Sequence, residues 1–295
     1  MAVADVRLDA RAAGLAVLAM AILGGSYTAG KLALQDLPVF GLLLLRMIVS
    51  TATLGAYALW AKVPLLTTGR STRLVAAQSA FFLLSQVSLF IGLTMTSAGR
   101  AAILFNMQPF FTLMLLPLLV PSERLTLRRW IGTGVAFTGV ALVLAERGLS
   151  GGSLLGDALC LLAALGWTGN VILNKTMPHD VNSVAMIFWN VAVAVPVIGV
   201  LALLLEPQAA WHFSAASVGS VLYLGVIAAG LGFVLIVWLT RTYSASRVNV
   251  FVFLSPVFGV LIGWALLGES ISALQAFGAA AVALGILVVS TEAVR

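Results

Sequence analysis

Ten apolar runs, each near the roughly 20 residues that an α-helix needs to cross a bilayer, follow one another along the sequence. They fall at about 13–33, 38–61, 74–95, 98–120, 130–147, 155–175, 184–205, 215–239, 247–268 and 274–291. A backbone placed in hydrocarbon must satisfy its own hydrogen bonds, and runs of this length do so as helices; barrel strands would be about half as long and would alternate. Composition agrees: the chain is 61% hydrophobic and 9% charged, with a mean hydropathy of +1.11. The gaps between runs leave no room for a soluble catalytic or nucleic-acid-binding domain. The expected fold is therefore all-α and integral to the membrane, with the lipid bilayer as its surroundings.

Charge predicts orientation. With the N-terminus cytoplasmic, the cytoplasmic gaps and both tails hold 12 of the 16 basic residues, which puts both termini inside. That bias accounts for the basic balance without nucleic acid. Cys160 is the single cysteine, and His179 and His212 fall in separate gaps, so the sequence offers neither an intrachain disulfide nor a metal set. No cofactor is expected.

The chain repeats itself. At an offset of 147, Ser97, Ala98, Arg100, Pro109 and Phe111 match Ser244, Ala245, Arg247, Pro256 and Phe258. After a one-residue gap, Glu123, Gly132 and Gly139 match Glu269, Gly278 and Gly285. This predicts two repeats, 1–148 and 149–295, of five runs each; an odd number makes the second copy enter the membrane from the opposite side. Ten transmembrane helices in two inverted five-helix repeats are an architecture by which many transporters alternate around one central site.

The motifs that carry a family resemblance are GGSYTAGK in the first run, Pro38 with Arg46 in the second, SAGRAA with the following QP, then SERLT. A weaker second copy reads ALGWTGNVILNK, SASRVN with SPVFG, and LGES. Together they resemble the EamA-type members of the drug/metabolite transporter superfamily. In length and overall character the chain is also similar to the YddG-type amino-acid exporters. The resemblance implies a ten-helix inverted fold in a bacterial cytoplasmic membrane, exporting small organic metabolites, above all amino acids, with drug-like or other hydrophobic compounds as the alternative. It leaves the oligomeric state open, a monomer included. The family often has tryptophan before the first-run glycine, where this chain has Gly24.

Candidate substrate-binding residues are the polar and aromatic side chains inside the runs, since a lined cavity needs polar groups from several helices between aromatic walls. They are Ser26, Tyr27 and Lys31; Arg46; Asn106 and Gln108; Trp167, Asn170 and Asn174, which share a helix face; Trp189 and Asn190; and Asn249. Helix-to-helix hydrogen bonding and hydroxyls returned to their own helix are the competing readings. Pro109 and Pro256 are expected to bend their helices and act as gates. The paired glycines Gly132/Gly139 and Gly278/Gly285, two turns apart, predict close helix packing. GSYTAGKL, Gly25 to Leu32, imitates a phosphate loop but lacks the Ser or Thr after its lysine and lies within a membrane run. All ten acidic residues fall in tails, gaps or run ends, which argues against carboxylate-based proton exchange for cationic drugs. An intramembrane enzyme would need a nucleophile with its base at one depth, and a sensor a soluble output domain; neither is present in the sequence.

Overall fold

The computed structural model describes residues 10–65, 70–119, 127–145, 153–175, 182–207, 211–243 and 250–290, and every regular element among them is helical. In the first half these are α1 (Ala10–Ala33), α2 (Val39–Trp60), α3 (Arg70–Met95), α4 (Ala98–Phe105), α5 (Gln108–Leu119) and α6 (Leu127–Ala145). The second half holds α7 (Leu154–Lys175), α8 (Ser183–Leu205), α9 (Ala215–Leu222), α10 (Phe233–Thr242), α11 (Leu254–Leu267) and α12 (Ala273–Ser290). A π-helical stretch, Tyr223–Gly232, joins α9 to α10, and a 3₁₀ turn, Val250–Phe253, leads into α11.

Six described helices are long and apolar enough to cross a membrane: Ala10–Ala33, Val39–Trp60, Ser71–Met95, Leu154–Asn174, Val184–Leu205 and Ala215–Ile236. The other apolar runs form shorter helices. The bundle has an apolar surface, and its largely hydrophobic interior also holds buried amides. Trp60 and Leu204 are 81% and 75% exposed, whereas Gln78, Gln86, Asn106, Asn170 and Asn190 are buried. That distribution suits lipid as the outer solvent.

The run at 98–120 is not one bent helix. It breaks at Asn106–Met107, and Pro109 is the second residue of α5. Proline is favoured in a first turn, where its missing N–H would have no partner anyway, so it starts a helix here instead of kinking one. Pro256 likewise lies in the first turn of α11, directly after the 3₁₀ turn. The expectation of proline-bent helices is corrected to proline-started ones.

Glycines set the closest approaches. α6 and α12 cross antiparallel, with Gly132 against Gly285 and Gly139 against Gly278; a Cβ on Gly139 would lie 2.6 Å from the Gly278 carbonyl oxygen, and one on Gly285 would lie 2.5 Å from that of Gly132. Gly24 of α1 faces α11, where a Cβ would meet the Gly259 nitrogen and the Ser255 carbonyl oxygen at 2.9 Å, so no tryptophan fits at this position. In the π stretch, Gly225 and Gly230 are five residues apart, about one π turn, and both face α2 at Val49 and Thr53. Elsewhere α3 packs on α7 and α2 on α8, while α1 lies along α9–α10.

Replacing Gly139 by leucine should wedge α6 from α12 at a cost of about 1–3 kcal/mol. The thermal midpoint in detergent micelles should fall clearly. Gly134→Leu should leave it unchanged, because nothing lies within 4 Å of a Cβ there.

Candidate functional site

The interior is organised around one face of α3. Gln78, Phe82, Gln86 and Phe90 are spaced by four, so they stand above one another along the helix. Together they meet three residues of other helices: Asn170, Trp167 and Arg46. Gln78 exchanges hydrogen bonds with Asn170 of α7, its Nε2 donating to the side-chain oxygen at 3.4 Å and accepting through its own carbonyl at 3.1 Å. Phe82 meets Trp167, with ring centroids 6.3 Å apart. Gln86 Oε1 accepts from Arg46 Nη1 at 2.8 Å, and the Arg46 guanidinium lies 5.1 Å from the Phe90 ring centroid.

Trp167 is the hub of the aromatic groups. Phe105 meets it edge-on at 6.0 Å and Phe233 at 6.3 Å, and Tyr27 continues the chain by meeting Phe105 at 6.1 Å. The rings come from α1, α3, α4, α7 and α10, so both halves of the chain build the site. Trp167, Phe105, Phe233 and Arg46 stay half-buried inside the bundle. Arg46 and Trp167 thus meet the same face of α3 one turn apart in its register, Arg46 at Gln86 and Trp167 at Phe82.

Arg46 is incompletely satisfied. Its Nε is buried with no hydrogen-bond partner, and so are the hydroxyls of Ser50, one turn further along α2, and of Ser85, beside Gln86. A buried donor without a partner costs about 1–3 kcal/mol, more for a charged group. The unpartnered Nε of a charged side chain marks a place suited to an anionic or polar ligand.

The carboxylates are elsewhere. The four described acidic residues, Asp36, Asp157, Glu206 and Glu269, all lie at the end of the bundle that carries the α1–α2 turn, and each bonds from one half of the chain to the other. Glu206, just past α8, accepts from the backbone N–H groups of Phe40 and Gly41 at 2.8 Å each, at the start of α2. Glu269, just past α11, accepts from Ala98 and Gly99 at 2.7 and 3.0 Å, at the start of α4. Both use the unpaired donors and positive dipole of a helix N-terminus. Asp157 accepts from Thr96 Oγ1 at 2.9 Å and forms a buried ion pair with Arg100. Asp36 accepts from the Ser214 hydroxyl and, through its carbonyl, from His212 N at 3.1 Å. Among the described residues at the opposite end, neutral groups make cross-half bonds: Gln78–Asn170, Ser79 Oγ to Asn190 Oδ1 at 3.2 Å, and Trp189 Nε1 to the Leu65 carbonyl at 2.6 Å.

The predicted site residues therefore separate into groups. Tyr27, Arg46 and Trp167 surround the centre, and Asn106 closes α4 beside them, its Nδ2 donating to the Ala102 carbonyl at 2.7 Å. Gln108 opens α5, and its carbonyl accepts from Thr168 at 3.1 Å. Ser26 returns its hydroxyl to the Ile22 carbonyl at 3.2 Å. Lys31 donates to the carbonyls of Leu93 and Thr96 at 2.7 and 2.6 Å, capping α3. Asn170, Trp189 and Asn190 join helices at the neutral end, and Asn174 is exposed. Asn249, Arg247 and Glu123 lie outside the described residues. The sequence reading missed Gln78, Phe82, Gln86 and Phe90, although their four-residue spacing was the signal that would have found them.

Comparison with known proteins places this geometry in context. The model of the EamA-like transporter family matches residues 10–145 and again 154–291. A probable amino-acid metabolite efflux pump of Escherichia coli K12 is 29% identical over 286 residues, covering 93% of both chains. A protein of the same description from Salmonella typhimurium LT2 is 30% identical over 285 residues, again covering 93% of both. A solved structure described as "Crystal structure of protein" superposes with a TM-score of 0.71 at 17% identity over 98% of this chain and 99% of the other, a likeness of fold.

The Arg100–Asp157 pair gives a direct test of the charged end. Asp157→Asn takes the carboxylate from a buried ion pair and should cost about 3–5 kcal/mol, seen as a large loss of thermal midpoint and yield. Adding Arg100→Gln to the same chain should recover much of that loss. A double variant no better than the single one would show that the pair is not the interaction being broken.

Proposed function

The chain belongs to the EamA-like transporter family, and we propose that it exports amino acids or closely related metabolites across the bacterial cytoplasmic membrane by alternating access. The observation that carries the reading is Arg46, an arginine inside the bundle with an unpartnered Nε, which meets the same face of α3 as an aromatic group built by both halves. A substrate carboxylate matches the guanidinium, because its two oxygens accept a planar pair of donors. The apolar part of the substrate lies against Trp167, Phe105 and Phe233. The relatives described as probable amino-acid metabolite efflux pumps support the same substrate class.

Ten membrane-crossing segments in two inverted repeats frame the site in this reading. The antiparallel α6–α12 crossing supports the inversion: Gly132 matches Gly278 between the repeats yet touches Gly285, as a two-fold axis across the helices requires. The bias of basic residues supports cytoplasmic termini, which makes the carboxylate-bonded end the outer one. Alternating access then consists of breaking the carboxylate bonds on one side and the neutral Gln78–Asn170 and Ser79–Asn190 bonds on the other. A drug-like cation fits less well, since all four described carboxylates are engaged at the outer end.

Arg46→Ala and Trp167→Ala should each lower amino-acid counterflow in reconstituted vesicles, Arg46→Ala by about tenfold or more from the lost charged hydrogen bond. Protein yield should be unchanged. Normal flux in both variants would remove the proposed site.

The buried Cys160 reports on the outer closure, because it sits one turn from Asp157 and against Gly92 of α3. Glu206→Gln with Glu269→Gln weakens two cross-half bonds, so a membrane-impermeant maleimide added outside should label Cys160 faster than in the parent protein. Equal labelling rates would mean that these carboxylates do not hold that end closed.

A further inference from the structure

We propose that the central site recognises a carboxylate joined to a bulky apolar group and does not require an α-ammonium, so that aromatic 2-oxo and N-acyl acids are substrates alongside amino acids. The inference rests on the amino-acid reading of the same site and follows from its charge. Arg46 brings one positive charge to the interior, held by the neutral oxygen of Gln86 and the face of Phe90, with Nε left over.

No described carboxylate answers it. Glu206 and Glu269 are occupied by the N–H groups of α2 and α4, Asp157 by Arg100 and Thr96, and Asp36 by Ser214. The six other acidic residues fall in stretches outside the described helices.

A monoanionic acid bound at Arg46 leaves the loaded site neutral. An amino-acid zwitterion bound in the same way leaves it with one net positive charge, held only by hydroxyls such as Ser50 and by the ring faces around Trp167. Burying a net charge is costly unless it is paired with an opposite one, so the attraction of ring faces and hydroxyls goes to offset that cost and the site gains nothing by requiring the ammonium. A site built to require it would need an acceptor with negative charge at the same depth as Trp167.

The test uses the full chain in proteoliposomes, with counterflow of labelled L-phenylalanine and three unlabelled probes: phenylpyruvate, N-acetyl-L-phenylalanine and phenethylamine. Both acids should compete, and should drive counterflow from inside, at concentrations no higher than phenylalanine itself; phenethylamine should fail at about tenfold more. In Arg46→Gln, competition by the acids should weaken by about tenfold or more, while Arg46→Lys keeps part of it. Exchange of phenylalanine with phenethylamine but with neither acid would overturn the inference and leave the amino-acid reading standing. Phenylalanine exchange with none of the three probes would do the same, whereas no exchange of labelled phenylalanine would remove the amino-acid reading and, with it, the inference that rests on it.

Discussion

A carboxylate removed from water must find donors, and in this molecule that requirement joins the two halves of the chain. The four described acidic side chains are all at one end, and all reach across. Two of them, Glu206 and Glu269, take the place of a capping side chain at α2 and α4: Pro38 provides no side-chain cap for α2, and Ser97 caps α4 at only one N–H. An N-terminus without acceptors would leave several polar groups in an apolar environment. The helix starts thus depend on residues about 170 positions away for Ala98 and Gly99, and about 165 away for Gly41. Closure of that end and completion of its helices are one and the same set of bonds.

The consequence for the interior is electrostatic. With the four described carboxylates committed to one end, the centre keeps Arg46 and a group of aromatic rings, and polarity there comes from amides and hydroxyls. Neutral side chains also make the bonds at the opposite end. A pair such as Ser79 with Asn190 contributes about 0.6 kcal/mol in a membrane protein, less than a buried charged contact. Among the described residues, the two ends are therefore joined by interactions of different strength and different sensitivity to water.

Much of the architecture was legible in the sequence because it rests on local patterns. The apolar runs became helices, and the two-turn spacing of Gly132 and Gly139 became a packing face against its own repeat. Arg46 stood out because a charge two turns inside an apolar run has few explanations. What could not be read was pairing at long range. Nothing near Lys31 indicates that it caps the carbonyls of Leu93 and Thr96, and nothing near Glu269 indicates that it serves α4 and not its own helix. Asn170 and Asn190 carried the right residue type for a binding site but met Gln78 and Ser79 instead, so residue type alone did not separate lining from bracing. The prolines misled for a different reason. Proline breaks an interior turn and suits a first turn equally well, and the choice depended on whether Asn106 ended the preceding helix.

The π-helical stretch shows how a local irregularity serves the central site. A regular α-helix places residues four apart on one face, whereas Gly225 and Gly230 are five apart and still both face α2. Widening the helix at this point brings it close against Val49 and Thr53, on the turns of α2 that flank Ser50. The position of Arg46 along α2 is thereby fixed from two sides, by Gln86 and Phe90 of the first half and by the glycines of the second. A helix gripped by both halves feels any movement of one against the other. Coupling between ligand and conformation then needs no separate relay, because the group that would bind the carboxylate sits on the helix that both halves grip.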